Sequence, residues 1–281
     1  MTPSEKKQLS MMACKVRMGI IESTYCAKCG HPGGSLSAAD MFTYLYFKEL
    51  NVDPKNPKWE DRDRFVLSKG HTAPGLYSAL ALRGFFPVED LKTLRKLGSY
   101  LQGHPNMNTV PGVDMSTGSL GQGISAACGM ALASKVQGKS NRIYTLLGDG
   151  ELQEGQVWEA CMFASHYKLD NLCVIVDNNG LQIDGDVAKV MSPYPITDKL
   201  EAFGFHVTAI DGHDFDQIEA ALNEAKTIKG QPCAIVMKTV KGKDVSFMEN
   251  QASWHGVAPN QAQYEQAMAE LNAKLNELEG N

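Results

Sequence analysis

The stretch RIYTLLGDGELQEGQVWEACMFASHYKLDNLCVIVDNN, residues 142–179, decides the fold. Two short apolar runs, at 142–147 and 171–176, flank a helical pattern over 155–168, and polar residues follow each run. Near-continuous apolar strands on either side of a helix are typical of a parallel sheet that is covered on both faces. The stretch therefore predicts two adjacent parallel strands whose carboxyl ends carry glycines, carboxylates and amides.

The rest of the chain repeats this alternation of apolar runs and helical patterns. The predicted strands cover 64–68, 205–210 and 232–240, and the predicted helices cover 74–83, 120–137 and 214–226. The sequence TPSE at 2–5 has the form of a capping box, so a first helix begins there and ends before CGHPGGS. A second helix is expected over 37–49. We expect an α/β protein with a doubly wound, mainly parallel sheet and helices on both faces.

Composition limits the class of protein. The chain has 281 residues, 43% of them hydrophobic, and a net charge of −5, without a basic patch for nucleic acid or an anionic membrane. Its apolar runs are shorter than the ~20 residues of a membrane span, and we expect a cytoplasmic protein. The seven cysteines are expected to be thiols. Cys26 and Cys29 form a C-x-x-C without a second pair, so a zinc site is not favoured.

The polar residues after the two strands suggest a metal site. Ligands of open parallel sheets bind beyond the carboxyl ends of the strands. Asp149 lies between two glycines, and Asn179 follows 30 residues later, at the end of the next strand. GDG alone is more often a turn, but a carboxylate, an amide oxygen and a carbonyl such as that of Leu181 suit octahedral Mg²⁺. With the helix N-terminus near Gly155, the pattern predicts a diphosphate held through magnesium.

Four of the seven histidines stand in glycine-containing loops: His31, His71, His104 and His255. Histidines at such positions suit the binding of hydroxyls and proton transfer on a carbonyl substrate. The other three histidines lie in helix, strand and turn patterns, and a structural role is expected for His166, His206 and His213.

A dinucleotide site is the main competitor for this fold. Its G-x-G-x-x-G fingerprint is absent, because GSLGQG at 118–123 has a different order of glycines and does not follow an apolar run. A P-loop lysine motif is also absent from the sequence, so nucleotide binding is not favoured.

Eight blocks now identify a resemblance. In order, they are CGHPGGSLSAADM, DRFVLSKGHTAPGLYSAL, GHP, TGSLGQGISAACGMA, LLGDGELQEGQVWEA, YKLDNLCVIVDNN, KTVKGK and MENQASWHG. Together they resemble the N-terminal half of transketolase over almost the whole chain. The resemblance implies a thiamine diphosphate- and Mg²⁺-binding domain of the diphosphate-binding type over 1–260, with Ca²⁺ or Mn²⁺ as alternative metals. A helical tail is expected over 261–281.

The resemblance also implies residue roles. Asp149, Asn179 and the carbonyl of Leu181 would hold the metal, and the loop that carries Leu181 varies in the family. His31, His104 and His255 are the implied catalytic residues. Family members often carry proline at the position of Ser119. The residues implied to contact the cofactor are Gly34, His71, Gly118, Ser119, Leu120, Gly150, Asn179, Lys241 and His255.

The resemblance implies a missing half as well. In the family, a pyrimidine-binding domain supplies the glutamate that activates the cofactor and the arginines that bind the sugar phosphate, and this chain lacks it. Glu151 and Glu154 cannot substitute, because they lie on the diphosphate side. The methionine start and the closing helix favour a natural subunit of a split transketolase over a truncated chain. We expect an α₂β₂ heterotetramer with a C-terminal transketolase subunit, acting on sugar phosphates.

Two alternatives stay open at this point. One is the alpha-type subunit of a 2-oxoacid decarboxylase or dehydrogenase, which shares the magnesium motif but does not need GHPGG, SKGHTAPGLY and WHG together. The other is a non-catalytic binding module that kept the fold and regulates a partner. Intact metal ligands and histidines argue against such a module.

Overall fold

A five-stranded, entirely parallel sheet forms the centre of the molecule, in a computed structural model that describes residues 1–280. The strands are β1 (Arg64–Leu67), β2 (Ile143–Gly148), β3 (Leu172–Asn178), β4 (Leu181–Gln182), β5 (Gly185–Asp186), β6 (His206–Asp211) and β7 (Cys233–Lys238). The strand order of the sheet is β1-β2-β3-β7-β6, and β4 and β5 form a separate antiparallel hairpin. The predicted βαβ unit is confirmed, because β2 and β3 are parallel neighbours.

Helices cover both faces of this sheet. They are α1 (Pro3–Ala27), α2 (Pro32–Ser37), α3 (Ala39–Tyr44), α4 (Ala73–Arg83), α5 (Gln122–Val136), α6 (Gly155–His166), α7 (Val187–Val190), α8 (Ile196–Ala202), α9 (Phe215–Thr227) and α10 (Gln261–Glu279). Within residues 1–280, no helix is both long enough and apolar enough to cross a membrane.

Alternate strand residues build two separate cores. On β3, Ile175 packs into the cluster that includes α1, α3, α4 and α9, whereas Val174 and Val176 pack into the cluster under α5, α6 and α8. Successive side chains of a strand point to opposite faces, so a run without polar interruptions fills both cores. The predicted doubly wound α/β architecture is confirmed.

The segment after His31 differs from the sequence prediction. The expected single helix over 37–49 is divided into α2, α3 and one wider helical turn over Leu45–Glu49, and it begins earlier, at Pro32. Proline lacks a backbone N–H and fits the first helical turn, where that N–H has no partner. The β4–β5 hairpin and the helices α7 and α8 were not predicted from the sequence.

The last helix packs on the first. Ala267 and Leu271 of α10 are fully buried, and the thiol of Cys14 on α1 donates to the Leu271 carbonyl at 3.1 Å. The division into a domain over 1–260 and a tail over 261–281 stays a prediction, and residue 281 lies outside the described residues.

Candidate functional site

A cavity of about 300 Å³ lies at the carboxyl edge of the sheet. It is bordered by the ends of β2 and β3, the β4–β5 hairpin and the segments that carry His71, Gly118 and His255. Of the residues implied to contact the cofactor, Ser119 is exposed and lies outside the wall. The others line the cavity: Gly34, His71, Gly118, Leu120, Gly150, Asn179, Lys241 and His255.

Asp149 is a buried carboxylate at the end of β2. Its two oxygens accept the backbone N–H groups of Gly150 at 2.8 Å and Gly180 at 2.6 Å. Burial, and then the nearby charge of Asp177, raise the pKa of Asp149 to about 6. A carboxylate held ionised against these two effects gains from a cation beside it.

The other two predicted metal ligands follow β3: Asn179 lies in the loop after it and Leu181 begins β4. The N–H of Gly180, between them, donates to Asp149. The Asn179 side-chain oxygen accepts the N–H of Leu181 at 3.1 Å. The Leu181 carbonyl accepts a hydrogen bond from Lys241 Nζ at 3.0 Å, so a metal at this oxygen would have to share or displace that ammonium. No three His, Cys, Asp or Glu side chains form a metal-binding group within residues 1–280. The predicted metal ligands are one carboxylate, that of Asp149, one amide oxygen and one backbone carbonyl.

Asp177 joins the loops around the cavity, and the sequence reasoning did not single it out. Its fully buried carboxylate accepts from Ser37 Oγ at 2.6 Å and from Asn179 Nδ2 at 3.1 Å, and it also accepts from Lys69 and Thr239. Burial alone raises the pKa of a carboxyl, but the Lys69 ammonium and these donors hold the pKa of Asp177 below its usual value. The signal was available in VIVDNN, where a charged residue ends a buried strand.

Glu151 also joins segments of the chain around the cavity. Its buried carboxylate accepts the hydroxyl of Ser68, the N–H of Gly121 at 2.9 Å and the N–H of Gly148 at 3.0 Å. It therefore ties together the ends of β1 and β2 and the start of α5. With these acceptor positions used inside the protein, Glu151 is a structural carboxylate of the site wall.

The four glycine-loop histidines converge, as the sequence reasoning proposed. The ring of His31 lies 5.2 Å from that of His71, 5.5 Å from that of His255 and 6.4 Å from that of His104. His71 and His255 stack at 5.1 Å. Gly118, with φ of +150°, passes close to His104, since a Cβ there would lie 3.0 Å from the ring. The four imidazoles thus form one cluster, in which His71 and His255 line the cavity and His31 and His104 lie beside them.

Burial and neighbouring cations keep these imidazoles neutral. Burial and then Arg95 lower the pKa of His31 to about 4, and burial and then Lys241 lower the pKa of His255 to about 3. The pKa of His71 also lies well below its ordinary value, mainly because the ring is buried. His31 Nδ1 is buried without a hydrogen-bond partner in the described chain. Neutral imidazoles with a free nitrogen can accept protons or bind hydroxyl groups.

The remaining histidines lie away from the cavity. His206 pairs with Glu224 at 2.9 Å at the start of β6, and His166 ends α6. His213 lies in the turn after β6 and contacts Asp40. None of these three lines the cavity.

The cavity wall fits an anionic ligand. Lys241 is 1% exposed, and its Nζ contacts the Leu181 carbonyl and His255 Nδ1, the latter at 2.9 Å. It forms no ion pair with a carboxylate of residues 1–280, whereas Lys69 pairs with Asp177. Burial and then Lys69 lower the pKa of Lys241 to about 8. A buried ammonium without a carboxylate, next to hard oxygen ligands, matches a diphosphate bound with a divalent cation.

The sequence matches one protein family over almost its whole length. Residues 9–276 match the family described as transketolase, thiamine diphosphate binding domain. The predicted thiamine diphosphate-binding character of the chain is thereby confirmed. The family description names no metal.

Similar proteins include separate subunits and full-length enzymes. A 6-deoxy-6-sulfo-D-fructose transketolase subunit SqwG of Clostridium sp. (strain MSTE9) is 49% identical over 86% of this chain and 88% of its own length. An apulose-4-phosphate transketolase subunit of Phocaeicola vulgatus is 41% identical, with 96% of each chain covered. Human transketolase is 42% identical over 97% of this chain but only 44% of its own length.

Solved structures agree with these relatives. Transketolase from Campylobacter jejuni superposes with a TM-score of 0.87 at 34% identity, covering 99% of this chain and 46% of that one. The chain thus spans about half the length of the full-length transketolases that it matches. The sequence prediction of a transketolase-type enzyme chain is confirmed, and the protein belongs to the transketolase family through its thiamine diphosphate-binding domain.

Proposed function

We propose that this chain is the thiamine diphosphate- and Mg²⁺-binding subunit of a two-subunit transketolase. The complete enzyme transfers a two-carbon ketol unit from a ketose phosphate to an aldose phosphate. The observation that carries this proposal is the convergence of Asp149, Asn179 and Leu181 with the four glycine-loop histidines at one edge of the sheet. The metal is proposed from the chemistry of these oxygen donors.

Each wall of the cavity has its own proposed task. Asp149, Asn179 and the Leu181 carbonyl hold the divalent cation, while Lys241 and His71 bind the diphosphate. Gly118, Ser119 and Leu120 would contact the rest of the cofactor. Of these three residues, Ser119 is exposed and lies beside the cavity wall. When bound, thiamine diphosphate supplies the electron sink for the two-carbon unit.

The histidines are proposed to handle the substrate. His31 and His255 are neutral near pH 7 and are proposed for proton transfer at the substrate carbonyl. The unpartnered Nδ1 of His31 can receive the proton of a substrate hydroxyl, whereas His255, whose Nδ1 faces the Lys241 ammonium, can donate its Nε2–H to the carbonyl oxygen. His104, exposed at the outer side of the cluster, binds a sugar hydroxyl. The histidine cluster is therefore proposed to transfer protons to and from the substrate. The residues around the metal and the diphosphate are proposed to hold the cofactor.

In buffer without divalent metal, ionisation of Asp149 is expected to destabilise the fold. Its pKa of about 6, against an ordinary 3.8, means that the folded chain binds this proton more tightly than the unfolded chain. The associated stability is present at low pH and is lost as the pH rises through 6, a change of about 3 kcal/mol. Urea unfolding of the wild type and of Asp149→Asn with chelator, across this pH range, measures it. A difference between the two proteins that stays constant with pH contradicts this.

A partner subunit is proposed to complete the site. Large apolar side chains stand exposed on the hairpin and the segment after it, near the cavity mouth: Ile183 at 66%, Met191 at 65% and Tyr194 at 36%. Exposed apolar patches of this kind are typical of interaction surfaces. The partner is a C-terminal transketolase subunit with a pyrimidine-binding domain, in an α₂β₂ assembly located in the cytoplasm.

The substrate is proposed only by class. The two separate-subunit relatives are named for 6-deoxy-6-sulfo-D-fructose and for apulose-4-phosphate. Both names describe a sugar that carries an anionic group. We propose a sugar phosphate of carbohydrate metabolism, with a pentose phosphate as the default, and with the residues that bind the phosphate on the partner subunit.

Co-expression tests this assembly. The chain is produced together with a C-terminal transketolase subunit encoded by a neighbouring gene, and the purified material is analysed for mass and for bound thiamine diphosphate. A complex of two copies of each chain with two cofactors is expected. Purification of the chain without the second chain, with cofactor and ketol-transfer activity, contradicts the proposal.

A further inference from the structure

The tetrapeptide DGHD at 211–214 lies at the carboxyl end of β6. The sequence predicts no binding or catalytic role for it. The Asp211 side chain accepts the N–H of His213 at 2.9 Å, and the N–H of Gly212 donates to the Lys238 carbonyl at 2.9 Å. A Cβ at Gly212 would lie 2.6 Å from Thr239 Cγ2, so only glycine allows this approach. The turn is therefore clamped to the end of β7, with His213 in a fixed place.

The imidazole of His213 has a partner on each nitrogen. Nε2 lies 2.9 Å from the backbone nitrogen of Val240, and Nδ1 lies 2.7 Å from Asp40 Oδ2. A backbone N–H can only donate, so Nε2 is the acceptor and the proton resides on Nδ1, facing Asp40. Asp40 is buried and held by both terminal nitrogens of Arg17, at 3.0 and 2.6 Å. A buried ion pair thus orients the ring that binds Val240.

The segment that receives this hydrogen bond leads directly into the cavity. Thr239 donates its hydroxyl to Asp177, and the next residue but one, Lys241, reaches the Leu181 carbonyl with its ammonium at 3.0 Å. The residue between them donates its N–H to His213, which lies outside the cavity wall. The backbone that carries Lys241 is therefore held by both Asp177 and His213.

We propose that His213 is a positioning residue for Lys241, acting through the N–H of Val240. The inference rests on the proposed function, because a diphosphate is the ligand that Lys241 is proposed to bind. The ring does not line the diphosphate cavity, so it acts on the ligand only through the backbone. An open cavity of about 510 Å³ borders His213 and Val240, so water can reach the N–H when the ring is replaced and the fold is retained.

Two amide substitutions distinguish the contact made by Nδ1 of the ring from the contact made by Nε2. In His213→Asn the amide stands near the position of Nδ1, so the contact with Asp40 is kept and the acceptor for Val240 is lost. In His213→Gln the longer side chain places its oxygen near Nε2 and keeps that acceptor. Binding of inorganic pyrophosphate with Mg²⁺ to the full chain is measured by calorimetry. We expect about fivefold to tenfold weaker binding for Asn and less than threefold for Gln.

A double-mutant cycle shows whether the effect passes through Lys241. His213→Asn is combined with Lys241→Met, and it should cause no further loss of pyrophosphate affinity in that background. His206→Asn is the matched control, because His206 begins the strand that leads to His213, also pairs with a carboxylate and does not line the cavity. It should bind like the wild type. His213→Leu replaces Asn in the cycle if the Asn variant does not fold.

The outcomes distinguish this inference from the proposed function. A wild-type chain that binds no pyrophosphate with Mg²⁺ overturns the proposed function. Wild-type affinity in His213→Asn, equal losses in Asn and Gln, or the same loss with and without Lys241 overturns only the positioning role. A purely structural role would lower the unfolding temperature without any of the affinity pattern described.

Discussion

Asp149→Asn is expected to weaken the binding of thiamine diphosphate in the presence of Mg²⁺ by about 100-fold or more. Asp149 supplies the one carboxylate among the proposed metal ligands, and burial, followed by the charge of Asp177, raises its pKa to about 6. Asparagine keeps the size of the side chain but removes the charge that a divalent cation requires. Calorimetric titration of the chain with the cofactor, at fixed Mg²⁺, measures the loss.

A neighbouring acid provides the control for this result. Asp184 is exposed in the β4–β5 hairpin, next to Ile183 at the cavity wall, and makes no hydrogen bond to the proposed ligands. Asp184→Asn should leave cofactor affinity within about twofold. Retained Mg²⁺-dependent binding in Asp149→Asn, or equal losses in the two variants, would refute the assignment of Asp149 as a metal ligand.

His255→Gln is expected to lower kcat/KM of the assembled enzyme by about 10² to 10⁴. The ring lies at the junction of the two halves of the site, 5.5 Å from the His31 ring and 2.9 Å from Lys241 Nζ. Glutamine keeps a polar N–H group there, but its amide is neither an acid nor a base and cannot transfer a proton. Steady-state kinetics with saturating cofactor separate this loss from weaker cofactor binding.

A histidine outside the cluster serves as the comparison. His166 ends α6, at the opposite end of that helix from the cavity. His166→Gln should retain the wild-type rate within about twofold. A rate for His255→Gln that matches that of His166→Gln is incompatible with a role of His255 in proton transfer.

The sequence was sufficient for the elements whose pattern is local. The apolar runs at 142–147 and 171–176 predicted β2 and β3 to within two residues, because buried parallel strands need continuous apolar side chains. Asp149 and Asn179 were paired correctly at one edge, since a βαβ unit brings successive strand ends together. The metal ligands were predicted from the polar residues after the two strands, whereas the roles of the individual histidines depended on the family resemblance. Both assignments stay proposals.

What the sequence did not reveal depends on contacts between distant segments. The carboxylates of Asp177 and Glu151 each join three or more segments of the chain, and neither partner set has a regular spacing along the sequence. The bond from Val240 to His213 spans 27 residues, so the turn pattern around His213 could not indicate it. The strand order, with β7 between β3 and β6, is likewise a property of the assembled sheet.

The most direct test of the account is a ketol-transfer assay on three samples: this chain, the C-terminal subunit, and their mixture. Each sample contains thiamine diphosphate and Mg²⁺, and phosphorylated and sulfonated ketoses are offered as donors with several aldose acceptors. We expect transfer in the mixture with at least one donor and none by either chain alone. Transfer by this chain alone, or none in the mixture with any ketose, would contradict it.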